Sequence, residues 1–165
     1  MATPLGVAPS DHSTRGGKFL TFVLAGEEYG IEILKVREIL GLLPITRVPR
    51  TPEHIRGVIN LRGKVIAIAD LRRKFGMPEG EITQQTCILV VQVAGVQIGA
   101  IVDSVSEVLD IPAEQIEDPP AFGAAVNTRY ILGIGKTGSR VKLLLDIDRV
   151  LSPDDAVAAA GAAAA

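Results

Sequence analysis

Thr21-Phe22-Val23-Leu24-Ala25-Gly26-Glu27-Glu28-Tyr29-Gly30-Ile31-Glu32-Ile33 aligns without a gap to Val90-Val91-Gln92-Val93-Ala94-Gly95-Val96-Gln97-Ile98-Gly99-Ala100-Ile101-Val102. The alignment places Gly26 on Gly95 and Gly30 on Gly99, and the same offset carries Val36, Glu38 and Leu40 onto Val105, Glu107 and Leu109. Each copy reads as a strand, a tight turn at Ala-Gly and a second strand, with the glycine supplying the backbone position that needs φ > 0. A second pair of blocks follows. Gly57-Val58 falls on Gly133-Ile134, Val65 to Leu71 on Val141 to Ile147, and Asp70 on Asp146. The connections between blocks, Pro44 to Ile55 and Ile111 to Tyr130, differ in length, and connections are where insertion costs least.

Working outward, composition agrees with the strands. Hydrophobic residues make up 47% of the 165, but only 4% are aromatic and there is no Trp, so the apolar bulk is Val, Ile and Leu. The β-branched members favour sheet. A unit of about 60 residues is marginal alone, and many short strands at this spacing favour small barrels that remove their edges by closure. The expected fold class is all-β, two related barrels packed together, with short helical turns. Residues 1–17 read as a flexible lead-in and 18–151 as the folded body, with repeats around 19–72 and 88–148. In the tail, 152–165, Ser152-Pro153-Asp154-Asp155 is a good helix start, and the Ala-rich remainder predicts a short helix that frays.

Several functions are disfavoured. Net charge is -2, from 17 basic and 19 acidic residues without a basic block, which argues against nucleic acid. No signal-peptide-like run and no stretch of about 18 apolar residues is present, so no direct membrane insertion and a cytoplasmic location are expected. Cys87, the only cysteine, excludes an internal disulfide and reads as a buried thiol. Gly133-Ile134-Gly135-Lys136-Thr137-Gly138-Ser139 resembles a phosphate loop, but the glycine required five positions before Gly135 is Tyr130, and a strand rather than a helix follows. Asp146 and Asp148 would share a face if their strand continued, although strand-end capping is the plainer reading. Asp103 reads as an isolated carboxylate, and Thr51-Pro52-Glu53-His54-Ile55 as a helical turn capped by Thr51, with His54 in a structural or surface role. No nucleophile, base and orienting group assemble, so neither enzymatic activity nor a cofactor or metal is expected.

What remains is the loop Asn60-Leu61-Arg62-Gly63. Its second copy is Lys136-Thr137-Gly138-Ser139, so Arg62 has no counterpart although Glu38 has Glu107. An arginine on a short turn offers a rigid fork of donors suited to a protein interface; equally, it is a turn charge that pairs with Glu38 or Glu32.

Glu28-Tyr29-Gly30-Ile31-Glu32-Ile33-Leu34-Lys35-Val36-Arg37-Glu38-Ile39, Arg56-Gly57-Val58-Ile59-Asn60-Leu61-Arg62-Gly63 through Asp70-Leu71-Arg72, and Val102-Asp103-Ser104-Val105-Ser106-Glu107-Val108-Leu109 together resemble the CheW family of chemotaxis coupling proteins. The resemblance implies two packed five-stranded SH3-like barrels and a non-catalytic adaptor. The implied partners are the cytoplasmic tip of methyl-accepting chemoreceptors, the regulatory domain of the histidine kinase CheA and, in arrays, other CheW-like domains. The implied receptor-binding residues are Val36, Glu38, Asn60, Leu61 and Arg62. The kinase-binding residues are left unassigned, and service to a different sensory array is the alternative within the same fold.

Overall fold

In the computed structural model, which describes residues 16–78, 80–118, 130–137 and 140–152, the repeated blocks become paired hairpins. β1 (Gly17–Leu24) and β2 (Glu27–Glu32) are joined by Ala25-Gly26, and β6 (Cys87–Val93) and β7 (Val96–Val102) by Ala94-Gly95. Gly26 and Gly95 both have φ 82, while Ala25 and Ala94 are also left-handed at φ 51 and 49. Two positive φ values mark type I′ turns, whose twist matches that of the flanking strands. The other hairpins are β4 (Ile55–Leu61) with β5 (Lys64–Asp70), and β10 (Ile131–Thr137) with β11 (Arg140–Leu145). Three strands stand outside hairpins: β3 (Val36–Gly41), β8 (Ser104–Ile111) and β9 (Ile116–Glu117).

Among the described residues these strands form two sheets, ordered β8-β1-β2-β11-β10-β9 and β3-β6-β7-β5-β4. The chain is mostly β, as the sequence predicts, but the repeats do not map one to one onto the sheets. Replacing each strand of the five-stranded sheet by its repeat partner yields β8-β1-β2-β11-β10, the order of the other sheet without β9. Each repeat therefore lends its first two strands to the sheet that holds the last three of the other. The exchange rests on two antiparallel pairings, β3 with β6 and β8 with β1. Two parallel pairings, β2 with β11 and β7 with β5, complete the sheets. There Gly30 and Gly99 leave room for side chains of the neighbouring strands. A Cβ on Gly30 would lie 2.9 Å from a methyl of Leu144, and one on Gly99 2.5 Å from a methyl of Ile68.

The largest core lies between the sheets, where Leu20, Phe22 and Leu24 of β1 join a cluster with Leu89, Val91 and Val93 of β6. The other face of β6 sends Ile88 and Val90 into a second cluster with Ile59, Leu61, Ile66 and Ile68. Burial on both faces explains why Cys87-Ile88-Leu89-Val90-Val91 is continuously apolar rather than alternating. A third cluster, Phe19, Ile111, Ile116 and Leu144, belongs to the six-stranded sheet. Each such large side chain contributes about 1.5–3 kcal/mol on burial.

Several local expectations are sharpened or corrected. Asp70 and Asp146 both cap single-turn helices, Leu71–Lys74 and Ile147–Val150, by accepting the backbone N–H two residues on. Because β11 ends at Leu145, Asp146 and Asp148 do not share a strand face. Asp148 instead accepts a 2.8 Å bond from Lys35. Asp103 is not isolated: Arg72 donates to it through Nε at 2.8 Å and through a terminal nitrogen, and the Ala25 amide donates at 2.9 Å. Residues 52–55 form a turn closed by Ile55 N–H to the Pro52 carbonyl rather than a helix. Thr51 caps nothing there; its hydroxyl donates to the Val48 carbonyl at 3.0 Å. Cys87 is buried, and burial pushes its thiol above the ordinary range. The segment resembling a phosphate loop begins within the β10–β11 hairpin, with Gly138 and Ser139 outside the described residues. The helix expected beyond Ser152 and the lead-in before Gly16 also lie outside them.

Candidate functional site: an arginine hairpin at a sheet edge

β3 and β4 are the two outer strands of the five-stranded sheet, at opposite ends of its order. The β4–β5 turn nevertheless reaches β3. Arg62 donates through both terminal nitrogens to the two carboxylate oxygens of Glu38, one contact at 3.3 Å. The sheet therefore curls until its two edges meet at this two-pronged pair. The bond from Arg62 lowers the Glu38 carboxyl below its ordinary range, and the Glu38 contact raises the guanidinium in turn. Of the two alternatives left by the sequence, Glu38 is the partner, not Glu32.

The turn's local chemistry explains the presentation. Arg62 has φ 52 and Gly63 φ 89, so this too is a type I′ hairpin with both central residues left-handed. Arginine is not a favoured residue in that conformation, where glycine and asparagine are the relaxed choices. Asn60 compensates from outside the turn, its Oδ1 accepting the Gly63 N–H at 2.8 Å. The result is a guanidinium anchored at one edge with 69% of the side chain still exposed.

The five residues singled out from sequence thus fall into different settings. Glu38 and Arg62 are joined. Asn60 is exposed and shapes the turn, while Val36 is half-buried against the main core. Leu61 is 7% exposed and belongs to the inner cluster of its sheet, so it anchors the loop from below. Sequence reasoning missed the neighbouring apolar surface: Ile39 on β3 is 47% exposed and Val65 on β5 55% exposed. A cleft of ≈320 Å³ lined by Arg37, Lys64, Val65 and Gln97, among others, lies at the same hairpin. Exposed Val and Ile in otherwise regular strands carried no signal, because alternation predicts which residues share a face but not which face is covered.

The arrangement is one for contact and not for bond chemistry. Among the described residues no group of His, Cys, Asp and Glu side chains is placed to hold a metal ion, and no helix is long and apolar enough to cross a membrane. A two-sheet β domain with an ion-paired, solvent-facing arginine hairpin defines a protein-binding module. More particularly, the chain belongs to the family of CheW-like domains, whose model matches residues 18–154. It is 43% identical over 142 residues to the chemotaxis protein CheW of Klebsiella aerogenes, covering 86% of both chains. It is 33% identical over 149 residues to CheW of Rhizobium meliloti, covering 90% of this chain and 96% of that one. Among solved structures it resembles the scaffolding protein TtCheW of Thermoanaerobacter tengcongensis, with TM-score 0.77 and 35% identity over 85% of this chain and 95% of that one.

Proposed function

We propose that this protein is a non-catalytic chemotaxis adaptor that couples methyl-accepting chemoreceptors to the histidine kinase CheA, bringing kinase activity under receptor control. The observation that carries the reading is the Arg62 fork, held by Glu38 across the sheet edges and still largely exposed. An arginine pre-oriented in this way meets a partner with little further loss of side-chain entropy. The receptor tip docks on the face formed by Val36, Glu38, Asn60 and Arg62, with Leu61 supporting it from within. The kinase regulatory domain takes other sheet edges, and the complex forms in the cytoplasm at membrane-associated arrays. Each contact is weak alone, and simultaneous engagement multiplies them.

The test is reconstitution with purified kinase and a receptor fragment. Arg62→Glu sets two carboxylates against each other at the edge and should cut receptor binding at least about tenfold, and with it receptor-dependent kinase output. Unchanged binding by a variant whose circular dichroism is native would sink the assignment.

A further inference from the structure

A cleft beside the β3–β4 connection lies away from the Arg62 hairpin. It encloses ≈580 Å³, and its lining includes four arginines, Arg47, Arg50, Arg56 and Arg73, interleaved with aliphatic side chains such as Ile45 and Pro52. Against them stand Glu53 on the rim and Asp70 beneath. Asp70 is already committed: its Oδ1 accepts the Arg72 N–H, and its Oδ2 is shared by Arg56 at 3.1 Å and Arg73 at 4.0 Å. Arg47 and Arg50 are exposed and have no ion-pair partner among the described residues. Arg47 and Arg50 thus add positive charge to a concavity, where low-dielectric walls strengthen its field.

The internal repeat serves as a control. Asp70 and Arg73 have counterparts in Asp146 and Arg149, paired at 3.5 Å, so a capping aspartate with an arginine one turn on is part of the scaffold. Arg56, in contrast, falls on Leu132, and Arg47 and Arg50 lie in a connection whose length differs between the copies. Arg47, Arg50 and Arg56 are therefore additions to the first copy that the shared scaffold does not carry. Arg50 even occupies the left-handed region at φ 63, where an arginine brings no conformational advantage.

We infer that this cleft is a second docking site, distinct from the Arg62 face, for an acidic peptide segment of a partner protein in which carboxylates alternate with aliphatic side chains. Guanidiniums bind carboxylates two-pronged, and the intervening Ile45, Val48, Pro52 and Ile55 supply apolar contact for the residues between. A nucleotide fits less well, since no aromatic side chain lines the cleft to stack a base and no glycine-rich turn offers backbone amides to phosphate.

The experiment is a nuclear magnetic resonance titration of the full chain, labelled with nitrogen-15. The probes are a blocked hexapeptide of glutamate and leucine, its lysine-for-glutamate counterpart and inorganic pyrophosphate. Expected are saturable shifts of the amides of residues 45–56 and of Arg73 with the acidic peptide, none with the basic one, and weaker binding of pyrophosphate. The double variant Arg47→Gln, Arg50→Asn keeps a residue tolerant of positive φ at position 50. It should melt like the parent and raise the peptide Kd at least about tenfold. The proposal is overturned by the absence of a saturable response, by a response that survives in the double variant, or by pyrophosphate binding as tightly as the peptide, which would mark a small-anion site.

Discussion

Replacing Gly57 by alanine tests the connection that shapes both the β4 edge and the arginine cleft. Gly57 has φ +149, and a Cβ there would sit 2.0 Å from the Thr46 carbonyl oxygen, 2.8 Å from its carbon and 2.9 Å from Cγ2 of Ile45. The two nearest are backbone atoms, so no side-chain rotation relieves the overlap. Thr46 has to retreat, and with it go both bonds of its bridge to Val58, each 2.9 Å long. Two lost backbone bonds cost about 1 kcal/mol each, and a Cβ at this φ adds about 1 kcal/mol of strain. For a domain of this size about 3 kcal/mol lowers Tm by about 6–12 °C. Gly63→Ala is the matched comparison, because at φ +89 it meets nothing within 4 Å. It should carry the strain alone and lose about 2–4 °C. Thermal unfolding by circular dichroism compares the two, and amide exchange at Thr46 and Val58 locates the damage. Equal melting losses, or native protection of those amides in Gly57→Ala, would refute the reasoning.

Other consequences follow from buried polar groups. Truncating Asp103 strands the Arg72 guanidinium in a setting where the two side chains are 28% and 19% exposed, and a double-mutant cycle between them should return a coupling of about 1–2 kcal/mol. Burial raises the Asp103 carboxyl, but the bonds from Arg72 and the Ala25 amide outweigh it and leave it below the usual range. The stability it contributes is thus present above the unfolded aspartate pKa and lost as pH falls through the folded value, a decline that Asp103→Ala should flatten in acid unfolding curves. Tyr29 behaves in the opposite sense: burial pushes its phenol up to about 12. Its contribution is complete below the unfolded pKa of about 10 and disappears as pH climbs through the folded value, so Tyr29→Phe should move alkaline unfolding to higher pH. Cys87, buried with a raised thiol, should react with an aromatic disulfide reagent only after denaturant is added; stoichiometric reaction with the native protein would contradict its placement.

Much of this was legible in the chain before any coordinates. The gapless alignment of Thr21–Ile33 with Val90–Val102 locates four strands and two turns, because strand period and turn chemistry are local properties. The same comparison isolates Arg62 as a residue with no second copy, and Asp70 and Asp146 as strand-end caps. It did not show that Ala25, Arg62 and Ala94 share the left-handed conformation of the glycines after them, since no side-chain preference announces it.

Pairing between distant segments was decided only by the tertiary structure. Apolar alternation tells each strand which side to bury but not which neighbour to bond, so the exchange that pairs β3 with β6 and β8 with β1 left no mark in either repeat. From that exchange follow the features that matter most. Arg62 can reach Glu38 because the β4–β5 hairpin curls back to β3, and Leu61 turns inward beneath it. Arg72 meets Asp103 across the repeats, and Arg73 joins Arg47, Arg50 and Arg56 around one cleft. Local sequence determined the strands, turns and caps; long-range packing determined which charges face one another.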